Sequence, residues 1–506
     1  MSEGSAAQPG LDLGARSAPD PAALSGEDIP RLLALATRHA AVCAAFVARY
    51  GALGEVFPAD FLSSDVWGTL LSPATREALD RLSLAELRAI SLRSATPEAG
   101  ELRALPEKGA AHHVLEDTGA FFAAASTCRL EGLVVDLDAL CAASPAACAS
   151  PDWVSTLRKH RALLAPKKMH EIPRMARCVQ WLALASDRPV QVLDVGSGKG
   201  YLGSFLSVAC GIRTVSVEGS HMIAAGAVRR HANLSRLFRG REAGHELRVA
   251  WLSKTAADGE SFAASSRQDG ATAAQEKDEA AQRTILTGLH ACGDLTSTAV
   301  AAFVQRPELW GLVAVGCCYN MMAPETFPVS GHLRRSGLTL SRALRMLALK
   351  SLEREAGQQP AEGGEPALTS ARTLWRPLLN LLLRDELGVD VRARSEELSV
   401  GRRASKSESW PVYARSALSH LGFEPSSVPN ETALRELEVR CVGTSLERVL
   451  KLEVLRLMLA AAVESLIALD RLLSVLESGQ CAAAWIVRVF EPSESPRCLG
   501  IVCRRC

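Results

Sequence analysis

The chain has 506 residues, 48% hydrophobic and 22% charged, which is enough for a large core and excludes a disordered or fibrous protein. Its net charge of +1 excludes a global field drawing it onto nucleic acid or anionic membrane, so any RNA contact must come from local patches. The 14 cysteines form no regular framework, and the start "MSEGSAAQPGLDLG" resembles neither a secretory signal nor an Arg-rich transit peptide; both point to an intracellular protein, cytoplasmic or nuclear.

Residues 1–26 are small, polar and proline-containing, and read as disordered. From "IPRLLALATRHAAVCAAFVARY" the apolar positions recur at helical spacing, through "SPATREALDRLSLAELRAI" and again at 132–148. The spacing predicts an N-terminal helical domain over 27–150, a surface through which a partner could be engaged. From residue 151 strand and helix alternate. "HEIPRMARCVQWLALAS" reads as a helix, "PVQVLDV" as a buried strand, then a glycine loop and a helix from Tyr201. "IRTVSVEG", "ELRVAWLS", "RTILTGLHA" and "LWGLVAVGCC" follow as further strands, with helices between most of them. This alternation predicts a doubly wound parallel sheet.

Polar, low-complexity stretches at 254–282 and 353–371 read as solvated insertions. The apolar stretch 455–473 carries Arg456, Glu464, Asp470 and Arg471, each costly at mid-bilayer, so it reads as a buried helix and no transmembrane segment is expected. "AAWIVRVFEPSESPRCLGIVCRR" reads as an antiparallel hairpin around a Pro/Ser-rich turn. A parallel sheet closed by such a hairpin is the α/β, class I (Rossmann-like) methyltransferase pattern. Residues 151–506 then form that domain, with a second insertion at about 330–450.

The glycine loop "VLDVGSGKGYLGSFL" (192–206) decides between ligands. A P-loop fails, because Leu193 stands where its first glycine belongs and Gly200 follows Gly198-Lys199. The dinucleotide pattern occurs as Gly198, Gly200 and Gly203, but its first glycine falls too far beyond Val195, where the strand ends. Asp194-x-Gly196-x-Gly198-x-Gly200 suits S-adenosylmethionine instead. The glycines let backbone N–H groups and a helix N-terminus reach its carboxylate, and Asp194 sets negative charge near its cationic end. Glu218, ending the next strand, can accept the ribose hydroxyls, and Tyr201 is assigned to the same site.

Other stretches carry candidate chemistry. "APKKMHEIPRM" (165–175) opens a helix with two lysines and a His-Glu pair, among them Lys168 and His170, which reads either as the lining of a cofactor or phosphate pocket or as a solvated basic helix start. In "GLHACGDLT" (288–296), His290 and Asp294 lie just past a strand end, where ligands sit in open α/β sheets. Either could take a proton from an attacking nucleophile, and Asp294 could equally cap the next helix. Cys292, Cys317, Cys318 and His290 invite a zinc reading. Without a C-x-x-C pair, and with adjacent strand cysteines expected on opposite faces, no metal is assigned; Tyr319 and Asn320 are expected to shape the acceptor pocket. The basic stretch 391–406 could touch RNA phosphates.

Taken together, "PKKMHEI", "LDVGSGKGYLGSFL", "VEGS", "TGLHACGDL" and "VGCCYN", with "SDVWGTL", "VESLIALDRLL" and "FEPSESPRCL", resemble the methyltransferase-like protein 25 family. The likeness is closest to its B branch, named for ribosomal RNA adenine dimethylation, and the core resembles the methyltransferase domain 32 group. The resemblance implies S-adenosylmethionine binding at Asp194, Gly196, Gly198, Gly200 and Glu218, and makes Lys167, Lys168, His170 and Glu171 pocket residues. Ser253 stands where relatives tend to carry an aspartate toward the adenine edge. Adenine dimethylation itself is disfavoured, because "HACGDLT" lacks the proline and aromatic of the loop that holds an exocyclic amine. The expected function is methyl transfer to RNA or protein; the alternative is a catalytically silent cofactor-binding scaffold that regulates a partner.

Overall fold

The computed structural model describes residues 28–93, 113–142, 164–237, 244–250, 282–357, 372–389 and 407–506. Residues 1–26, Ser253, the basic stretch 391–406 and nearly all of 254–282 lie outside the described residues.

Eight strands form one sheet: β1 (Val134–Asp136), β2 (Val190–Val195), β3 (Arg213–Glu218), β4 (His245–Val249), β5 (Arg283–Ala291), β6 (Leu309–Gly316), β7 (Ala483–Arg488) and β8 (Leu499–Arg504). Their spatial order is β1-β7-β8-β6-β5-β2-β3-β4. β8 runs antiparallel to both β6 and β7, as the expected terminal hairpin requires, and the remaining pairings are parallel. The chain reverses its winding between β2 and β5, which opens a crevice at their carboxyl ends.

Alternate strand residues serve opposite faces, as the period of two demands. Val192, Ile285, Val313 and Trp485 pack with α2 (Pro166–Leu184) and α3 (Tyr201–Cys210) on one face. α4 (His221–Leu237) packs against α3. Leu193, Leu286, Leu312 and Ile486 meet α5 (Leu295–Gln305) and α6 (Glu431–Glu477) on the other. α6 has 47 residues, about 70 Å at helical rise, and opens with Asn430 accepting the Ala433 N–H at 2.9 Å.

The N-terminal portion departs from the all-helical expectation. Val134 to Asp136 pair with Ile486 to Arg488, making β1 an edge strand of the sheet. The helix Ile29–Tyr50 lies along α6 and shares its core. Among the described helices only Ile29–Tyr50 is long and apolar enough to cross a membrane, and here it buries Ala36, Ala40, Cys43, Phe46 and Val47 in protein. Helices Arg372–Asp385 and Trp410–His420, from the insertion after β6, pack on α6 as well.

Candidate functional site

The glycine loop leaves β2 at Val195 and turns through Gly196, Gly198 and Gly200 at φ 63°, 56° and 68°, a left-handed path that other residues rarely adopt. Added bulk would also collide. A Cβ at Gly196 would lie 2.6 Å from Leu295, and one at Gly200 2.8 Å from Ala227. Gly203 is a further requirement: its Cβ would fall 2.0 Å from Ser216 Oγ and 3.3 Å from Asp194 Oδ2. The sequence carried that signal, since Gly203 is the third glycine of the dinucleotide-like spacing, the one that lets helix and strand approach.

Asp194 lies beneath the loop, 1% exposed, and its Oδ2 is buried without a hydrogen-bond partner among the described residues. Burial pushes its carboxyl up to about 7 against a hydrogen bond from the Gly203 N–H, and the Glu218 charge adds to the rise. Glu218 accepts the Gly198 N–H at 2.8 Å and the Ser220 N–H at 3.0 Å. Neither carboxylate forms a salt bridge among the described residues. Glu218, and Asp194 in its ionised form, have no cation partner among the described residues and lie beside a glycine turn open to close approach, which fits the ammonium, sulfonium and ribose of S-adenosylmethionine. Tyr201 instead carries the Arg230 guanidinium 4.2 Å above its ring, with Arg230 also bonded to the Lys199 carbonyl.

Lys168 and His170 belong to a second cluster, and no hydrogen bond or ion pair joins either to the glycine loop among the described residues. The hub of that cluster is Glu171, which is fully buried. It accepts from Lys168 Nζ at 2.7 Å, His290 Nε2 at 2.7 Å and Ser495 Oγ at 2.7 Å, with Lys167 Nζ at 3.5 Å. Burial alone would raise its carboxyl; hydrogen bonds from His290, Lys168 and Ser495 outweigh that and hold it well below the usual range. His170 Nε2 accepts the Glu491 N–H at 3.0 Å. Three sequence-distant stretches, "PKKMHEI", "TGLHACGDL" and "FEPSESPRCL", therefore meet on one carboxylate. Its centrality, and the part of Ser495, were not legible from spacing.

His290 is the one described non-glycine residue at positive φ, 59°. β5 gains a residue there: Gly288 pairs with Ala314 and Ala291 with Gly316, three steps against two. Such a bulge re-aims side chains next to functional sites. A carboxylate offers only lone pairs, so Nε2 carries the proton toward Glu171 and Nδ1 is left as the acceptor nitrogen. Nδ1 is buried and has no hydrogen-bond partner among the described residues. Asp294 makes no side-chain cap to α5; its Oδ1 accepts the Ala323 N–H at 2.7 Å and Thr326 Oγ1 at 2.5 Å, tying the β5 loop to the β6 loop. The β5 loop abuts the glycine loop, because Leu295, which crowds Gly196, donates its N–H to the Cys292 carbonyl at 3.2 Å.

Two expectations about the β6 end need correction. Tyr319 does not shape an acceptor pocket. It is 3% exposed, donates to Glu464 Oε1 at 3.2 Å, and lies under Arg471 and Arg497. The cysteines do not diverge either. β6 ends at Gly316, so Cys317 and Cys318 lie beyond the pleat, and their sulfurs converge with that of Cys292. Hydrogen bonding from Cys317 and Cys318 pulls the Cys292 thiol down to about 5.

A cavity of about 480 Å³ lies elsewhere, between β1, the hairpin and α6, lined by Asp136, Lys350, Glu464 and Arg488 among others. None of the glycine-loop residues lines it.

Comparison with known proteins agrees with this geometry. Residues 167–325 match the family described as "Methyltransferase domain", a span running from the Lys167 helix start through both loops to the β6 end. The chain is 29% identical over 231 residues to the human protein named "Probable methyltransferase-like protein 25", covering 43% of this chain and 36% of that protein. The mouse protein of the same name is 28% identical over 232 residues, covering 43% and 37%. The match thus spans little more than a third of each relative's length. The fold is that of a Rossmann-like methyltransferase, and the chain carries a methyltransferase domain.

Proposed function

We propose that this protein is an S-adenosylmethionine-dependent methyltransferase acting on RNA or protein, with His290 as its general base and Glu171 as the residue that positions it. The observation that carries the reading is the Glu171–His290 pair, set on a backbone bulge beside the glycine loop with Nδ1 unpartnered among the described residues. Asp194, the backbone of Gly196 to Gly200, and Glu218 would hold the donor. When bound, S-adenosylmethionine supplies an electrophilic methyl group on a sulfonium.

The chain's own residues do the rest. His290 Nδ1 takes the proton of the acceptor hydroxyl or amine as its lone pair is committed to the methyl carbon. Glu171 fixes the imidazole's tautomer and offsets the positive charge the ring gains. Lys167 and Lys168 keep Glu171 ionised. Asp294 positions the loop through Ala323 and Thr326. Closeness to the B branch of the family, and a cytoplasmic or nuclear site of action, are parts of the same proposal.

The test incubates the protein with methyl-labelled S-adenosylmethionine and an extract of cells lacking it, then divides each sample between RNase and protease. Label removed by RNase alone assigns an RNA acceptor, and label removed by protease alone a protein acceptor. Replacing the base (His290→Asn) is expected to reduce labelling by about 100-fold or more while donor binding persists. Equal labelling by His290→Asn would refute the base. Donor binding without labelling above an Asp194→Ala control would favour the silent scaffold.

A further inference from the structure

Three thiols meet where no chemistry has yet been assigned. Cys292 follows β5, and Cys317 and Cys318 follow β6, so adjacent parallel strands deliver them to one end of the sheet. Their sulfurs all lie within 4.8 Å of one another, with Cys318 Sγ 3.3 Å from Cys292 Sγ and 3.7 Å from Cys317 Sγ. Tetrahedral zinc with bonds of about 2.3 Å sets its sulfur ligands about 3.8 Å apart. Both spacings fall short of that edge by about 0.5 Å or less, within reach of small side-chain rotations.

The local backbone explains the convergence. Cys292 stands between two left-handed residues, His290 at φ 59° and Gly293 at φ 56°, which turn it off the line of β5. A Cβ on Gly293 would come within 3.0 Å of the Met321 carbonyl, so the two loops touch there. Asp294 bonded to Ala323 and Thr326 locks the same pair of loops from the other side. The thiols are therefore held by a pre-organised frame rather than brought together by flexible chain.

We propose that Cys292, Cys317 and Cys318 form a three-thiolate zinc(II) site with an open fourth position. No fourth histidine, cysteine or carboxylate among the described residues joins the cluster within 4.8 Å. Cys292 is exposed, which leaves the fourth position to water or a soft ligand from solution. Binding holds all three sulfurs as thiolates and releases to solvent the protons of those that were still thiols; no electrons are transferred. The resulting centre carries one net negative charge, and the Arg497 guanidinium, which also pairs with Glu464, interacts favourably with it through Cys318. The site stands independently of the methyl-transfer reading, since its ligands are not those of the donor or the base.

The full-length protein, reduced and freed of metal, would be dialysed against zinc and assayed for bound metal, with cobalt(II) substituted in parallel for its visible tetrahedral-thiolate bands. Wild type is expected to retain about one equivalent, and a Cys292→Ser/Cys318→Ser variant below about a tenth of that. Cys441→Ser, remote in sequence from the cluster, should retain as much as wild type. Circular dichroism on each sample separates metal loss from unfolding, and S-adenosylmethionine affinity on the same samples reads the donor site separately. Folded, reduced wild type that retains no zinc, or a double variant that retains as much, would overturn the site. So would a Cys292–Cys318 disulfide that re-forms in preference to metal binding.

Discussion

Asp194 shows how burial makes a single side chain a pH-dependent handle. Its carboxyl titrates near 7 in the ligand-free protein, so below that pH a proton occupies the charge a cationic ligand needs. S-adenosylmethionine affinity is expected to fall about tenfold per pH unit below about 7 and level off above it, and Asp194→Asn should be weak and flat. Titration calorimetry across that range checks this, and pH-independent wild-type binding would contradict it. Glu171 has the opposite sign. Its folded pKa is depressed, so it contributes stability above its unfolded value of about 4.5, and that stability is lost as pH falls toward the folded value. Glu171→Ala, which strands His290, Ser495 and Lys168, should cost about 3–5 kcal/mol in urea unfolding at pH 7. The gap between variant and wild type should narrow below about pH 4.5. A gap that widened in acid would refute the assignment. At this scale the left-handed glycine turn and the carboxylates at the β2 and β3 ends were legible, because glycine spacing and strand ends are local signals. The Glu171–His290–Ser495 contact joins residues more than 100 positions apart, and no local periodicity encodes it.

Elements show what the charges of α6 are for. The sequence counts Arg456, Glu464, Asp470 and Arg471 against a membrane span, and the structure gives each a partner. Arg456 pairs with Glu453 at 3.0 Å, Glu464 with Arg497 at 3.1 Å, and Arg471 lies over Tyr319. Asp470 accepts the N–H groups of Val329 and Ser330 at 2.8 and 2.9 Å and the Ser330 hydroxyl at 2.6 Å, which fastens the chain beyond the β6 loop to the helix. Asp470→Ala leaves these donors buried and should cost about 2–4 kcal/mol, read as a lower urea midpoint at unchanged slope. A loss under about 0.5 kcal/mol would show the contact to be incidental. Gly203→Ala should cost about 1–3 kcal/mol by forcing α3 off Ser216, and weaken donor binding with it. Strand limits read well from sequence: "RTILTGLHA" coincides with β5, because a buried strand bounded by turns is a strong pattern. β1 was missed. Three residues carry too little pattern to outweigh the helical stretches around them, and its pairing with β7 is purely tertiary.

Across the whole molecule, α6 makes one body of what the sequence divides into domain and insertions. The helix Ile29–Tyr50, the helices of the long insertion and one face of the sheet all pack on it. Calorimetry should therefore show one cooperative transition for the described core, and two well-separated transitions would restore an independent N-terminal domain. A fragment limited to 164–325 would lack β7, β8 and α6, baring the β6 edge and the apolar face of the sheet, and is expected to aggregate rather than fold. The class of fold was legible because strand–helix alternation and the closing hairpin survive in one dimension. The shared spine was not, since nothing in the "LRLMLAAAVESLIALDRLL" stretch says how many partners its apolar circumference serves. Asp194 and Glu218 are proposed to make a site for S-adenosylmethionine, and titration calorimetry of the 506-residue chain with S-adenosylmethionine at pH 8 would detect it. The expected result is one saturable site, weakened at least about tenfold by Glu218→Ala or Asp194→Ala with the fold intact. Wild type that binds no S-adenosylmethionine, or variants that bind it as tightly, would contradict the account.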